Sequence, residues 1–365
     1  MAEAGKKSGT VSIALQESHA SIDEIHQPSA EIQVMACQVF DRLVTLDGST
    51  GKFLPSLATS WKQINPTTWE FKMRADVKWH DGQPLTAEDA AYTMNYASDP
   101  KVRLRLKNRF TWMKKATAVN ATTLRLETKR PFAVTIPRLA VGMGIIPKHI
   151  HSKLENKKRF GAKPMGSGPY QAISVDKNKG VVFALNENYK HGNRARPAGK
   201  IRRTHFKTTP DEQTTIAQML TGGLDVAPVF NKDLAANLAA RPGFAVKAIN
   251  SFHYYDVCFD AVGRSSAKAL ANLKVRQAIA HAINRKELRE SVIAGGSAVL
   301  ALNAPCLPKQ FGCNVDNAPP TYNVPRPRRC WPKPGMGAAL MSLSVLCARG
   351  NQSPRRLPAT SAPSA

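Results

Sequence analysis

An α/β fold without internal repeats is predicted by three observations. Short β-branched and aromatic runs recur between turn residues, helices with legible caps lie between them, and 42% hydrophobic with 21% charged residues over 365 positions is a globular composition. The runs at 10–15, 68–74, 122–127, 170–175, 181–185, 200–206, 245–249 and 254–259 read as strands. A helix is predicted from Thr86, which caps it with Asp89 three residues on; Ala90, Met94 and Ala97 share one face, and Pro100 lies beyond its end. A second is predicted with Thr209 as cap, Pro210 at the first helical position and Glu212 completing a capping box. Its Ile216 and Leu220 should face inward, with Gly222-Gly223 as the stop. A third should run over 273–288, with Val275, Ile279 and Ile283 spaced four apart.

Charge is the abnormal feature. Lys and Arg number 52 against 26 Asp and Glu, a net +26, which puts nucleic acid or an anionic membrane among the partners to weigh. The excess is general, because residues 1–323 still carry +19, while 324–365 hold seven basic residues and no acid. Basic residues at 101, 103, 105, 107 and 109 form the best nucleic-acid candidate, but no aromatic ladder accompanies them, and they are read as a polar edge or an exposed subdomain face. No stretch has the roughly 20 apolar residues of a membrane span, and the first 15 residues, with two lysines and no apolar core, do not read as a signal peptide.

Enzyme chemistry finds no support: there is no phosphate loop, HExxH, GxSxG elbow or dinucleotide fingerprint, so neither catalytic residues nor a cofactor are expected. The six cysteines include no CxxC pair, and no metal site is expected. Cys306 and Cys313 flank a loop containing Pro308 and Gly312; they could close a small disulfide in an oxidising compartment or stay as two free thiols. His149 and His151, beside Lys148 and Lys153, are read as solvated.

The segment 54–89, LPSLATSWKQINPTTWEFKMRADVKWHDGQPLTAED, resembles the signature of the peptide and nickel family of bacterial extracellular solute-binding proteins, which serve ABC importers. Physically it is a strand burying Trp69, Phe71 and Met73 on one face, a turn at Asp81-Gly82, and the helix opened by Thr86. Further similarities follow in the family's order: FDRL at 40–43, GSGPY at 166–170, LTGGLDV at 220–226 and LKVRQAIAHAINRKEL at 273–288.

The resemblance implies a type II-like periplasmic-binding-protein fold, two α/β lobes with an inserted subdomain, the second lobe incomplete here. It puts the first lobe at 8–37 and 164–250, the inserted subdomain at 38–163, and the hinge crossing with the start of the second lobe at 251–323. It also implies a ligand cleft lined by the loop after the first strand (Gln16, Glu17 and His26), by 225–230 (Asp225 and Phe230) and by the crossing at 252–256. Tyr254 and Tyr255 are neighbours on that crossing strand, so only one of them can face the cleft. The implied partners are a peptide or other small solute and an inner-membrane ABC permease, with no nucleic acid. The implied state is a periplasmic monomer. Dipeptide, oligopeptide, metal chelate and opine all stay open as ligands.

Beyond Asn323 the text changes. Read one base out of frame, Cys330-Trp331 forces Leu, Trp331-Pro332 forces Ala and Met336-Gly337 forces Gly, and the codons around them allow LLAEAGYGxGFDV, which resembles the family's continuation. Residues 324–365 are therefore read as an out-of-frame, coreless tail. With much of one wall replaced, the chain as written is expected to bind ligand weakly and to leave the stripe Val275, Ile279 and Ile283 uncovered.

Overall fold

A computed structural model describes residues 9–209, 211–229, 231–247, 257–292 and 320–323. The chain divides into two compact units, one ending at Pro228 and the other beginning at Val229.

The first unit runs β1 (Thr10–Leu15), α1 (Ala30–Val39), β2 (Val44–Leu46), β3 (Phe53–Pro55), β4 (Ala58–Asn65), β5 (Thr68–Met73), α2 (Ala87–Ser98), β6 (Met113–Asn120), β7 (Thr123–Thr128), α3 (Thr135–Ala140), α4 (Lys148–His151), β8 (Tyr170–Asp176), β9 (Gly180–Leu185), β10 (Arg203–Thr208) and α5 (Glu212–Leu220). One sheet has the order β1-β10-β9-β8; β1 and β10 are parallel, in register from Thr10 opposite Arg203 to Leu15 opposite Thr208, and the other pairs are antiparallel. A second, antiparallel sheet has the order β4-β5-β7-β6, and β2 pairs with β3.

The alternation read in β5 holds, with Phe71 and Met73 buried and Trp69 packed against the same core. α2 is closed by the capping box expected of it: Asp89 accepts from the Thr86 N–H at 2.9 Å, and Ala90, Met94 and Ala97 are buried. One continuous apolar core joins both sheets. It runs from Leu15, Phe183 and Phe206 through Met35 and Phe40 to Phe71, Leu124 and Leu126.

The two connections of the 42–166 excursion meet at one carboxylate. Asp41, with no exposed surface, accepts from Ser167 Oγ at 2.8 Å, His191 Nε2 at 3.0 Å, Tyr189 OH at 3.2 Å and the Arg196 guanidinium. Burial opposes its ionisation, but Arg196, His191 and Ser167 outweigh that cost and hold its carboxyl below the usual range. Around it, Gly168 N–H donates to the Val39 carbonyl at 2.8 Å, and His80 accepts from Gly166 N–H while donating to the Gly168 carbonyl. A Cβ on Gly166 would overlap the Val39 carbonyl oxygen, so the approach requires glycine there.

The structure corrects several sequence expectations. His151 is not solvated: it is 1% exposed, accepts from Tyr92 OH at 2.7 Å, and packs edge-on against Tyr96 and Phe160. His149 pairs with Asp81 at 2.8 Å. Asp211, not Thr209, caps α5, accepting from Thr214 N–H at 2.7 Å. In α5 Thr215 is buried, whereas Ile216 is half-buried and Leu220 is 38% exposed; Gly222, at φ +77°, ends the turn as expected. The basic run at 101–109 lies in turns and a short 3-10 helix at Lys107–Arg109 rather than on a strand edge, with Lys101, Arg103 and Arg105 exposed as an outward face requires, and Lys107 Nζ donates to the Ala97 and Asp99 carbonyls at the end of α2. The strand expected at 200–206 begins at Arg203. Residues 245–247 and 257–259 have no regular structure, and the rest of the two strands expected there lies outside the described residues.

The second unit holds α6 (Lys232–Ala239), α7 (Leu273–Ala282) and α8 (Arg285–Val292). The expected helix over 273–288 is two helices, because Ile283 is extended and Asn284 accepts from the Glu287 N–H to open a second one. Val275 has no exposed surface and Ile279 and Ile283 are half-buried, so the stripe is not left uncovered. Cys306, Cys313 and the 324–365 tail lie outside the described residues.

Removing the Asp41 carboxylate strands a guanidinium and three further donors. Asp41→Ala is expected to cost about 3–5 kcal/mol in urea unfolding, and a loss under about 1 kcal/mol would refute the hub. Stability should also depend on acid through His151, whose pKa burial holds down at about 4. The unfolded chain takes up this proton near pH 6.5. The contribution is therefore fully present above that value and lost as pH falls toward 4, by up to about 3 kcal/mol. Urea midpoints at pH 7.5 and 4.5 should differ less for His151→Asn than for the parent chain; equal differences would exclude His151 as a source.

Candidate functional site

Parallel strands end together, and loops leaving their carboxyl ends are where α/β folds place ligands. Here β1 ends at Leu15 beside β10 at Thr208. Residues 225–226 lie along the other side of β1, with Asp225 N–H donating to the Ser12 carbonyl at 2.9 Å and Ala14 N–H to the Val226 carbonyl at 2.9 Å. Three segments thus meet at one edge, and a small pocket there is lined by Ala14, Leu15, Gln16, Thr209, Asp211, Glu212, Thr215 and Pro228. Thr209 is fixed within it: its N–H donates to the Leu15 carbonyl at 2.7 Å and its hydroxyl accepts from Thr215 Oγ1 at 2.9 Å.

The loop after β1 is held from α1. Ser29 caps that helix, which puts Glu31 in its first turn. The Glu31 carboxylate accepts from Gln16 N–H at 2.7 Å, Glu17 N–H at 3.2 Å and His19 Nε2 at 2.7 Å. Burial opposes its ionisation, yet His19 and the two amides prevail and hold the Glu31 carboxyl below its usual range. The same loop carries a buried relay in which His26 Nδ1 donates to Asp23 Oδ2 at 2.6 Å and Nε2 accepts from Tyr96 OH at 2.9 Å. A second buried acid, Glu24, takes Arg42 at 2.9 Å and the Gly144 N–H at 2.5 Å.

Of the residues expected to line the cleft, Gln16 is in the pocket and Glu17 follows it beside His19 and Glu31. His26 has both ring nitrogens engaged in the relay and is 8% exposed. Asp225 gives its carboxylate to the Ser12 N–H at 2.7 Å, fastening the neighbouring segment to β1. Phe230, Tyr254 and Tyr255 lie outside the described residues. Sequence reasoning missed Thr209, Asp211 and Thr215 as pocket residues, having read Thr209 only as a cap, and it missed Glu31. The signal for Glu31 was an acid two residues after a capping serine.

Among the described residues no helix is long and apolar enough to cross a membrane. In comparisons with known proteins, the family described as bacterial extracellular solute-binding proteins, family 5 Middle, matches residues 52–341, reaching past Asn323. The chain is 28% identical over 313 residues to the nickel-binding periplasmic protein of Escherichia coli, covering 81% of this chain and 56% of that protein. It is 24% identical over 293 residues to the periplasmic murein peptide-binding protein MppA of the same organism, covering 73% and 51%. The chain thus spans about half the length of these relatives. Among solved structures, NikZ from Campylobacter jejuni in complex with Ni(L-His) superposes with a TM-score of 0.77 at 22% identity, over 88% of this chain and 62% of that one. The dipeptide-binding protein of Pseudoalteromonas sp. SM9913, in complex with Met-Leu, gives 0.75 at 20%, over 88% and 66%. These likenesses show the type II periplasmic-binding-protein fold. With the family matched over most of its length, the chain belongs to the bacterial extracellular solute-binding proteins of family 5.

Proposed function

We propose that this chain is the substrate-binding component of an ABC importer, capturing peptides or similar small solutes by lobe closure. It works as a monomer in the periplasm with an inner-membrane permease and catalyses no reaction. The observation that carries this reading is the pocket at the shared carboxyl edge of β1 and β10, in a chain whose family membership is independent of that pocket. Support for a peptide ligand comes from the named binding of the murein-peptide relative and the Met-Leu complex, and support for a metal-containing one from the nickel-binding relative and the Ni(L-His) complex. A pocket this small buries only part of a solute, so binding confined to it is weak.

At the basic run 101–109 the neighbouring aromatics Phe110 and Trp112 are buried, so no ring is offered there for base stacking. Of the run's basic groups, Lys107 is spent on the helix-end carbonyls of Ala97 and Asp99.

Calorimetric titration with di- to tetrapeptides is expected to give saturable binding with Kd on the order of 0.1–1 mM, weakened severalfold by Gln16→Ala. No saturable heat from any peptide, together with submicromolar DNA binding that falls steeply with salt, would overturn the proposal in favour of nucleic-acid binding. The latch that shapes the pocket loop can be checked separately. Glu31→Gln should speed hydrogen exchange at the Gln16 and Glu17 amides by about tenfold while leaving amides around Asp41 unchanged. Unaltered exchange at both would show that the loop holds itself.

A further inference from the structure

We infer that Glu17, His19 and Glu31 form a binding site for one divalent transition-metal ion on the loop after β1. Among the described residues this is the one group of three or more His, Cys, Asp or Glu side chains whose ligand atoms converge, all lying within 4.8 Å of one another. The His19 Nε2 to Glu31 Oε2 distance is 2.7 Å, with a proton between them. Metal–nitrogen and metal–oxygen bonds of about 2.0–2.2 Å place two neighbouring ligand atoms about 3 Å apart. An ion can therefore take the place of that proton if the pair opens by a few tenths of an ångström. The Glu17 carboxylate, already within reach, supplies a third bond.

The arrangement has the supporting contacts that metal sites need. Glu31 is aimed by the Gln16 and Glu17 amides and seated in the first turn of α1, and His19 is 7% exposed, so two of the three ligands are fixed before an ion arrives. Among the described residues no lysine or arginine is ion-paired with Glu17 or Glu31, although the chain carries +26. Two carboxylates in such a chain are a local reversal of sign. One imidazole with two carboxylates suits Zn2+ or Ni2+ better than Mg2+, which prefers an all-oxygen octahedral shell. The inference rests on the solute-binding reading in one respect: the ion would sit beside Gln16, at the border of the pocket proposed to hold the solute.

The test is calorimetry on the full, untagged, metal-stripped chain with NiCl2, ZnCl2 and MgCl2. One site of micromolar affinity is expected for Ni2+ or Zn2+, with Mg2+ at least tenfold weaker. His19→Ala and Glu17→Gln should each weaken the ion at least tenfold. Glu17→Gln is the decisive variant, because Glu17 enters the latch only through its main chain and the fold should keep its unfolding midpoint. Ni2+ should also broaden the His19 ring resonances before those of other histidines. Absence of saturable heat, or equal affinity in both variants, overturns the inference. Peptide binding without ion binding defeats this site while leaving the solute-binding reading intact, and ion binding without peptide binding supports the site and counts against that reading.

Discussion

A single buried carboxylate sets the arrangement of the first unit. The chain leaves the neighbourhood of α1 at Asp41 and returns at Ser167, having built β2 to β7 and α2 to α4 in between, and Asp41 binds the returning strand's approach through Ser167, Tyr189, His191 and Arg196. Closing so long an excursion costs conformational entropy that rises only with the logarithm of its length, so a few strong contacts at the junction can hold it. Ionised acceptors with four donors are among the strongest contacts available, provided none is left unpaired. The neighbouring glycines matter for the same reason, since they let the returning backbone touch the Val39 carbonyl.

The same economy recurs wherever an acid is buried. Glu24 joins Arg42 to the backbone at Gly144, Asp23 holds the His26 ring that meets Tyr96, and Glu31 joins His19 to the loop after β1. In a chain with twice as many bases as acids, Asp41 and Glu24 tie together segments more than a hundred residues apart. The pocket edge inherits its shape from two of these ties, because the loop bearing Gln16 is anchored by Glu31 at one end and by the His26 relay at the other.

Much of the fold was legible because its signals were local and unopposed. β5 alternates apolar and polar residues, and Thr86 with Asp89 has no competing cap nearby. β4 and β6 escaped notice for the opposite reason: ATSWKQIN and MKKATAVN are mostly exposed, so no apolar alternation marks them, and their pairing comes from neighbouring strands. At the start of α5 two capping side chains stood two residues apart, and local chemistry could not say that Asp211 would win while Thr209 was drawn to the Leu15 carbonyl. Asn284 reads as one more helical residue until its side chain is seen opening a new helix. His151 looked solvated beside lysines, because nothing in the sequence announced that Tyr92, 59 positions earlier, would cover it. Of the candidate pocket's lining, resemblance pointed only to Gln16; the residues facing it come from the far end of a parallel pairing that spacing alone does not reveal.

That pairing has a consequence for how the chain is made. β1 leaves the ribosome well before its partner β10, which follows about 190 residues later. At typical rates of translation that interval is roughly 10 to 40 seconds. During this time β1 can pair with neither β10 nor residue 226. The antiparallel sheet β4-β5-β7-β6, whose strands lie within 71 residues of one another, is complete long before. Synthesis therefore runs against the order of assembly: the antiparallel sheet consolidates first, and β1, made before it, is among the last to find its place. A chaperone that shelters emerging strands would have its longest occupancy on residues 10–15.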